Sequence, residues 1–503
     1  MSTTVFDMIK KEKTKIYFNT RCVLLRIPSI LKVGESFSLF ISVINNDGLP
    51  DQSFNLPIYF EENSLLGKLP KTIKFSSEDK GLLTIKGLVP NLTGILRISA
   101  KIRYQNEYFK VTSNPCWVEE NPAHRIFWGD LHVHSILGTC QVHETKEPEL
   151  AWLYARDVSH HDFLAVTDHL YGITPAKWEL LKKLAKKYNK PGVFSAILAY
   201  ESSHKSGLGG DNNVYFSGDT GKIFPLPKEA QGTVKSPVPL KTLWKFLDKS
   251  GDDYITIPHH TARKEKYKDF ETDDYNKKRE PVFEIYSMWG SSERKLNQYN
   301  FWRGRSDKKS YFQDALLNGC KYGVVASGDD HTTMPMSQLI YAKEPFGTKI
   351  NRSPHAGLTA VLAEKNTVKS IFEAVRKRRC YGTTFEKTLL DFKVNSTIQG
   401  GTVTIKHNAD EMKKRFLKIK ISDVCLGDPK GLITIVRNNK EICVLKLNKS
   451  DGEFVYEDKE KLEKLFIKKS RFNPNPFVYY YIRYDKEGYN ETTWSSPIWI
   501  ELE

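Results

Sequence analysis

No stretch of this 503-residue chain is apolar enough to span a bilayer, and its opening, MSTTVFDMIKKEKTKIYF, has neither the apolar core nor the small-residue cleavage site of a secretory signal. A cytoplasmic protein with no membrane partner is the expectation. The seven cysteines (Cys22, Cys116, Cys140, Cys320, Cys380, Cys425 and Cys443) show no paired spacing, and an odd number does not close into a disulfide framework, so reduced thiols are expected. There is no Gly-rich phosphate loop, no serine nucleophile elbow and no cysteine in a nucleophile context, which leaves covalent catalysis without support. An arginine-rich arm and a nucleic-acid module are missing too, so the formal charge of +16 reads as a solvated Lys-rich surface and not as a specific nucleic-acid partner.

What is present is a globular composition, 40% hydrophobic and 27% charged, on a chain too long for one ordinary core. Three regions follow from patterning. Residues 1–120 carry short alternating or apolar runs (FSLFISVI, LPIYF, LLTIKGLV, GILRISAKI) cut by turn residues such as NNDGLPDQ. They predict an immunoglobulin-like β-sandwich without the Cys and Trp spacing of true immunoglobulin domains. Residues 121–388 alternate apolar strands (FLAVTDH, VFSAILAYE, YITIPHH, VFEIYSMWG, YGVVASGDDH) with helical stretches (PAKWELLKKLAKKY, LKTLWKFLDKS), the βα rhythm of a parallel sheet or barrel. A last helix holds Val368, Ile371, Phe372 and Val375 at helical spacing. Residues 389–503 return to strands and predict a second small sandwich, the three domains packing against one another.

Eleven of the 13 histidines lie between His124 and His331, and the distinctive ones end apolar strands. In DLHVHS, His132 and His134 point to one side of an extended segment, with Asp130 on that side as well. Other strands end in Asp168 and His169, in Glu201, in His259 and His260, and in Asp329, Asp330 and His331. A core strand has no apolar reason to finish on ionisable residues. Taken singly, each has an ordinary explanation as a capped or hydrogen-bonded residue; five strand ends with one grammar point to a shared site. A mixed N/O donor set without thiolate suits Zn, Mn or Fe in a catalytic site.

The order of these motifs resembles the PHP superfamily of polymerase and histidinol phosphatase metal-dependent phosphoesterases. DLHVHS, Thr167–Asp168–His169, Glu201, His259 and Asp329 with His331 fall in that family's sequence of motifs. The flanking text, from FWGDLHVHS through FEIYSMWGSSE and GLTAVLAEKNT to WSSPIWIE, looks closer still to a PHP-related family of unknown function. The resemblance, which runs from about Ile126 to the C-terminus, implies an α/β fold, a distorted (β/α)7 PHP-like barrel, and with the strand patterning at either end the expectation is that barrel flanked by N- and C-terminal immunoglobulin-like β-sandwiches. It also implies two to three divalent ions, the first on His132, His134, Glu201 and Asp329, the second on Glu201 and His259, the third on His169 and His331. Two positions depart from the family pattern. GTCQVH leaves Cys140 or His143 to complete the third site, and GGDNNVYF offers Asp211 for the second.

On that reading water activated between ions bridged by Glu201 attacks a phosphorylated small molecule. Asp168 would orient a ligand histidine, His260 or His204 would protonate the leaving group, and Arg263 would hold a substrate phosphate. Glu284 and Glu293 would order the loop carrying Trp289, the simpler account being a salt-bridged loop. Two other readings stand beside it. One is an amidohydrolase-like hydrolase or lyase acting on a non-phosphate substrate, although a bridging Glu201 and a closing His331 fit it less well. The other is a binding protein with a vestigial metal site. A homo-oligomer is compatible with all three.

Overall fold

A computed structural model describes residues 4–5, 20–45, 47–104, 107–138, 145–226, 236–301, 304–336, 356–424, 430–488 and 490–503. In the N-terminal region an antiparallel sheet of Thr20–Arg26, Phe37–Asn45 and Leu82–Leu88 shares one apolar core with a second sheet, Thr72–Lys74, Pro57–Phe60, Ser99–Tyr104 and Glu107–Thr112. Leu39, Ile41, Ile58, Ala100 and Ile102 are fully buried between them. That burial follows the inward alternation of the strands and is what a sandwich requires.

The central region does not form the expected (β/α)7 barrel, nor any TIM-like one. Strand residues outweigh helical ones, 41% to 14%. Arg125–Val133, Phe163–Val166 and Ser195–Ser203 do pair in parallel, but the next strand, Asp211–Phe216, pairs antiparallel with Ser195–Ser203. A parallel neighbour needs a crossover of about a dozen residues or more, and the seven residues 204–210 between these strands are too few. Tyr254–His259 is antiparallel to Asp211–Phe216 in turn, and Leu358–Ala363 is antiparallel to Arg125–Val133. Val282–Ser287 and Gly323–Ala326 form a separate parallel pair. The result is a mixed sheet, with five α-helices among the described residues of the whole chain.

The helices form where the pattern places them. Pro175–Tyr188 starts on Thr174, whose hydroxyl accepts from the Lys177 N–H, with Pro175 at its first position. Leu240–Ser250 buries Leu243, Trp244 and Leu247 on one stripe and ends on Gly251 at φ 77°. Val368–Arg376 is capped by Thr367 and buries Val368, Ile371, Phe372 and Val375.

The central sheet does not stop near Leu389. It passes from Leu358–Ala363 to Cys380–Thr383, then to Glu491–Ser495, Phe477–Lys486 and Gly431–Arg437. A second sheet, built on Leu389–Val394, Arg415–Ser422 and Asp451–Asp458, shares the apolar core of Ile433, Ile435, Val478, Ile482 and Ile498. The C-terminal strands are thus hydrogen-bonded to the site-bearing sheet as one continuous ladder. Among the described residues no helix is long and apolar enough to cross a membrane.

Candidate metal centre

The strand ends meet. The His134 N–H donates to the Asp330 carbonyl at 2.8 Å and the Asp330 N–H to the His132 carbonyl at 3.2 Å, which knits the end of Arg125–Val133 to the segment after Gly323–Ala326. The Thr167 N–H donates to Val133 O and the Glu201 N–H to Asp168 O, drawing in the next two strands. Asp130 sits beneath the junction, its Oδ1 accepting from the His132 and Gly328 N–H groups at 2.9 Å each. Because Asp211–Phe216 runs antiparallel, its first residue lies at the same edge as its neighbours' last ones, with Asp211 opposite Ser203 and His259.

The side chains close on one another. Glu201 Oε2 lies 2.8 Å from His169 Nδ1, 3.4 Å from His134 Nε2 and 3.7 Å from His132 Nε2, while its Oε1 lies 3.4 Å from His259 Nε2. Asp329 Oδ1 is 3.1 Å from His134 Nε2, 3.4 Å from His132 Nε2 and 3.5 Å from His331 Nδ1, and its Oδ2 is 2.6 Å from His260 Nε2. His132 and His134 are 0% exposed, Glu201 1% and Asp329 2%. Asp329 and His260 both adopt left-handed backbone, φ 51° and 52°. Strain of that kind in residues other than glycine is tolerated where surrounding structure over-determines it, commonly at functional sites.

Burial lowers the His132 imidazole, yet the Asp329 and Glu284 carboxylates win and hold it well above its ordinary value. Glu201 and Asp329 are held well below theirs despite burial, Glu201 chiefly by His169 and His259, Asp329 by His132 and His260. His134 is pushed well down by burial and by its neighbours His331 and His169. His260 falls to about 4 through burial and the proximity of His259.

Five groups of ligand-type residues have donor atoms within 4.8 Å of one another: His134–His169–His331, His132–His134–Asp329, His132–His259–Glu284, His259–His260–Asp329 and Glu201–Asp211–His259. The donor chemistry fits a cation. A carboxylate oxygen only accepts, so the Glu284 oxygen 3.1 Å from His132 Nδ1 requires the hydrogen there. Where an ion replaces the second proton of this raised imidazole, His132 Nε2 faces the oxygens of Glu201 and Asp329 as a donor atom, and neither it nor Glu201 Oε2 makes a hydrogen bond among the described residues. Both ring nitrogens of His259 are likewise without one. Carboxylates gathered round buried imidazoles call for positive charge between them, which a proton or a metal ion supplies.

Of the expected residues, His132, His134, His169, Glu201, Asp211, His259, Asp329 and His331 come together, while Cys140 and its alternative His143 lie outside the described residues. Three expected roles change. Asp168 is bonded by the Ser135 N–H at 2.6 Å and the Ser135 hydroxyl at 2.5 Å rather than by a ligand imidazole, so it fixes the turn after His134. His260 has its Nε2 committed to Asp329. His204 is a satisfied core histidine, Nδ1 on the Val238 carbonyl and Nε2 on Ser202.

Arg263 is buried beside the cluster, its guanidinium 5.8 Å from the Trp289 ring and its Nε without a hydrogen bond among the described residues. Two contributors were not legible as such. Glu284 supports His132 from mid-strand, and Lys266 puts Nζ 2.7 Å from Asp211 Oδ2 out of a run, KEKYK, that reads as solvated surface.

A family model described as "Protein of unknown function (DUF3604)" matches residues 160–300, the span that carries His169, Glu201, Asp211, His259, Lys266 and Glu284. An uncharacterized protein of Chlamydia pneumoniae is 27% identical over 433 residues, 84% of this chain and 65% of the relative. One from Chlamydia trachomatis serovar D is 26% identical over 436 residues, with the same coverages. The chain therefore spans 65% of the length of the curated relatives it matches. Among solved structures, PhoD matches with a TM-score of 0.16 at 11% identity over 31% of this chain and 29% of that one. Parabacteroides merdae β-glucuronidase matches with 0.18 at 10% identity over 96% and 64%. Scores so low carry no argument about fold or activity.

Proposed function

We propose that this chain is a metal-dependent hydrolase of the phosphoester type, using water activated at a centre of two to three divalent ions, Zn, Mn or Fe, to cleave a phosphorylated small molecule. The observation that carries the reading is the buried cluster in which imidazole nitrogens and carboxylate oxygens face one another across 3.4–3.7 Å. His132, His134, Glu201 and Asp329 would hold one ion, His169 and His331 another, and Glu201, Asp211 and His259 form a further corner. Such ions, when bound, bring the pKa of water from 15.7 towards ~7 and neutralise charge on phosphoryl oxygens.

The chain's own residues do the positioning. Glu284 fixes the His132 tautomer, Asp130 and Asp168 lock the backbone around His132 and His134, and His260 holds Asp329. Arg263, buried and with Nε making no hydrogen bond among the described residues, would offer an N–H donor to a phosphoryl group. The order of motifs resembling the PHP superfamily supports the phosphoester over the amide class. Cys116, Cys320 and Cys380 are buried free thiols, in keeping with a reducing, cytoplasmic setting.

The test is metal content by mass spectrometry beside hydrolysis of an aryl phosphate panel, for wild type and for His132→Ala and Asp329→Ala. Bound ions with activity lost in both variants are expected. A folded wild type that stays metal-free after incubation with Mn and Zn would sink the reading.

A further inference from the structure

Lys266 enters the carboxylate side of the cluster by a route that the fold has built. Its segment is held by the Lys266 N–H on the Arg263 carbonyl at 3.1 Å and by the Ser206 hydroxyl on the Glu265 carbonyl at 2.9 Å. It also rests on the glycine that precedes Asp211. Gly210 has φ 66°, and a Cβ there would stand 2.9 Å from the Lys266 carbonyl oxygen, so a side chain at 210 would push the lysine away. With its stem 15% exposed, Lys266 delivers Nζ to Asp211 Oδ2 at 2.7 Å, within the field of Glu201 as well.

That places a fixed cation in the Glu201–Asp211–His259 corner, whose donor atoms lie within 4.8 Å of one another. A dication on the same three donors would share Asp211 with the ammonium, and the low-dielectric interior screens the repulsion poorly. The charge of the centre points the same way. Three carboxylates, Glu201, Asp211 and Asp329, face the imidazoles, with Glu284 behind His132. Against them stand the Lys266 ammonium and the guanidinium of Arg263, buried beside the cluster, so a third dication would add to positive charge already fixed in place.

Resting on the metal-centre reading above, we propose that Lys266 is the resident cation of the Glu201–Asp211–His259 corner. The chain would accordingly hold two divalent ions, one on His132, His134 and Asp329 and one on His169 and His331, with the Glu201 carboxylate beside both. Among the described residues, His259 keeps both ring nitrogens without a hydrogen bond, and Asp211 keeps Oδ1 so. The corner therefore retains donor atoms for a divalent ion once the ammonium is gone.

The experiment counts ions rather than turnovers. Full-length wild type, Lys266→Met, Lys266→Gln and Lys266→Arg are loaded with Mn or Zn, desalted, and assayed by mass spectrometry, with circular dichroism as the check on folding. The expected result is about two ions per chain in wild type and Lys266→Arg, about three in Lys266→Met and Lys266→Gln, and a return to about two when His259→Ala is added to Lys266→Met. Three ions in wild type, or a folded Lys266→Met or Lys266→Gln with no more than wild type, would overturn the proposal while leaving the hydrolase reading intact. No ions in wild type or in any variant would remove both.

Discussion

Replacing Glu284 tests how His132 is held. Glu284 is buried in the strand Val282–Ser287 and faces His132 Nδ1 with Oε2 at 3.1 Å and Oε1 at 3.4 Å. As an ionised acceptor it obliges Nδ1 to carry the hydrogen, which leaves Nε2 directed at Glu201 and Asp329. Carboxylates that orient a ligand imidazole in this way are typically worth ~10–100-fold in metal affinity, or roughly 1.4–2.8 kcal/mol at 1.4 kcal/mol per decade. Glu284→Gln keeps an acceptor oxygen but loses the charge, and its amide can rotate to present a donor and so favour the opposite tautomer. Glu284→Ala removes the acceptor outright. Calorimetric titration with Mn or Zn should therefore place Glu284→Gln near tenfold and Glu284→Ala near a hundredfold weaker than wild type. The control is a double-mutant cycle: in a His132→Ala background, Glu284→Gln should have little left to do. Full-strength loss in that background would mean that Glu284 acts through some other partner, and unchanged affinity in the single variants would refute the assigned role.

Three further outcomes follow. Lys387 is buried with Nζ on the His160 carbonyl at 2.7 Å, and burial pulls its ammonium down to about 7 from 10.5. Between those values the unfolded chain binds the extra proton, so the stability Lys387 contributes rises with pH across that window, and urea midpoints for Lys387→Met should lack this rise. Saturating chelator should lower the wild-type Tm, since an ion at 1,000 times its Kd stabilises by ~4 kcal/mol, and should leave the Tm of a folded Asp329→Ala nearly unmoved. Arg483 donates Nη1 to Glu293 at 3.0 Å and Nη2 to Glu441 at 2.6 Å, so Arg483→Met leaves the buried Glu293 carboxylate with the Tyr481 hydroxyl and a more distant Arg294 Nε at 4.0 Å. Urea denaturation should show a loss of ~3–5 kcal/mol, largely recovered when Glu293→Met is added.

The local elements were legible because they answer to local rules. Thr174 with Pro175, the stripe of Leu243, Trp244 and Leu247, and Gly251 as terminator act within one helix. The strand pairings are decided by neighbours far along the chain. FLAV and SAILAYE read alike as buried strands whatever the direction of the strand beside them, so a βα rhythm over part of the region suggested a parallel sheet or barrel, which the family resemblance narrowed to a closed one. The hairpin from Ser203 to Asp211 contradicts that, and its brevity was the available signal. The passage of the sheet from Cys380–Thr383 to Glu491–Ser495 joins residues more than a hundred apart and has no signature in either strand alone.

The strand ends converge despite the error in the fold because their convergence depends on edges and not on closure. Strands running one way deliver their last residues to a common edge, and this holds for His132, His134, Glu201, His259 and Asp329 whether or not the sheet closes. An antiparallel strand delivers its first residue to that same edge. Asp211 opens its strand and was therefore invisible to a search for ligands at strand ends; a departure from a family pattern brought it into view. Glu284 sits in mid-strand and reaches the cluster sideways through His132, and Lys266 reaches it from a loop seated on Gly210. What the sequence exposes is the set of residues whose position along a strand already implies the edge. The residues that tune them, by tautomer and by charge, belong to packing between segments and appear only once the chain is folded.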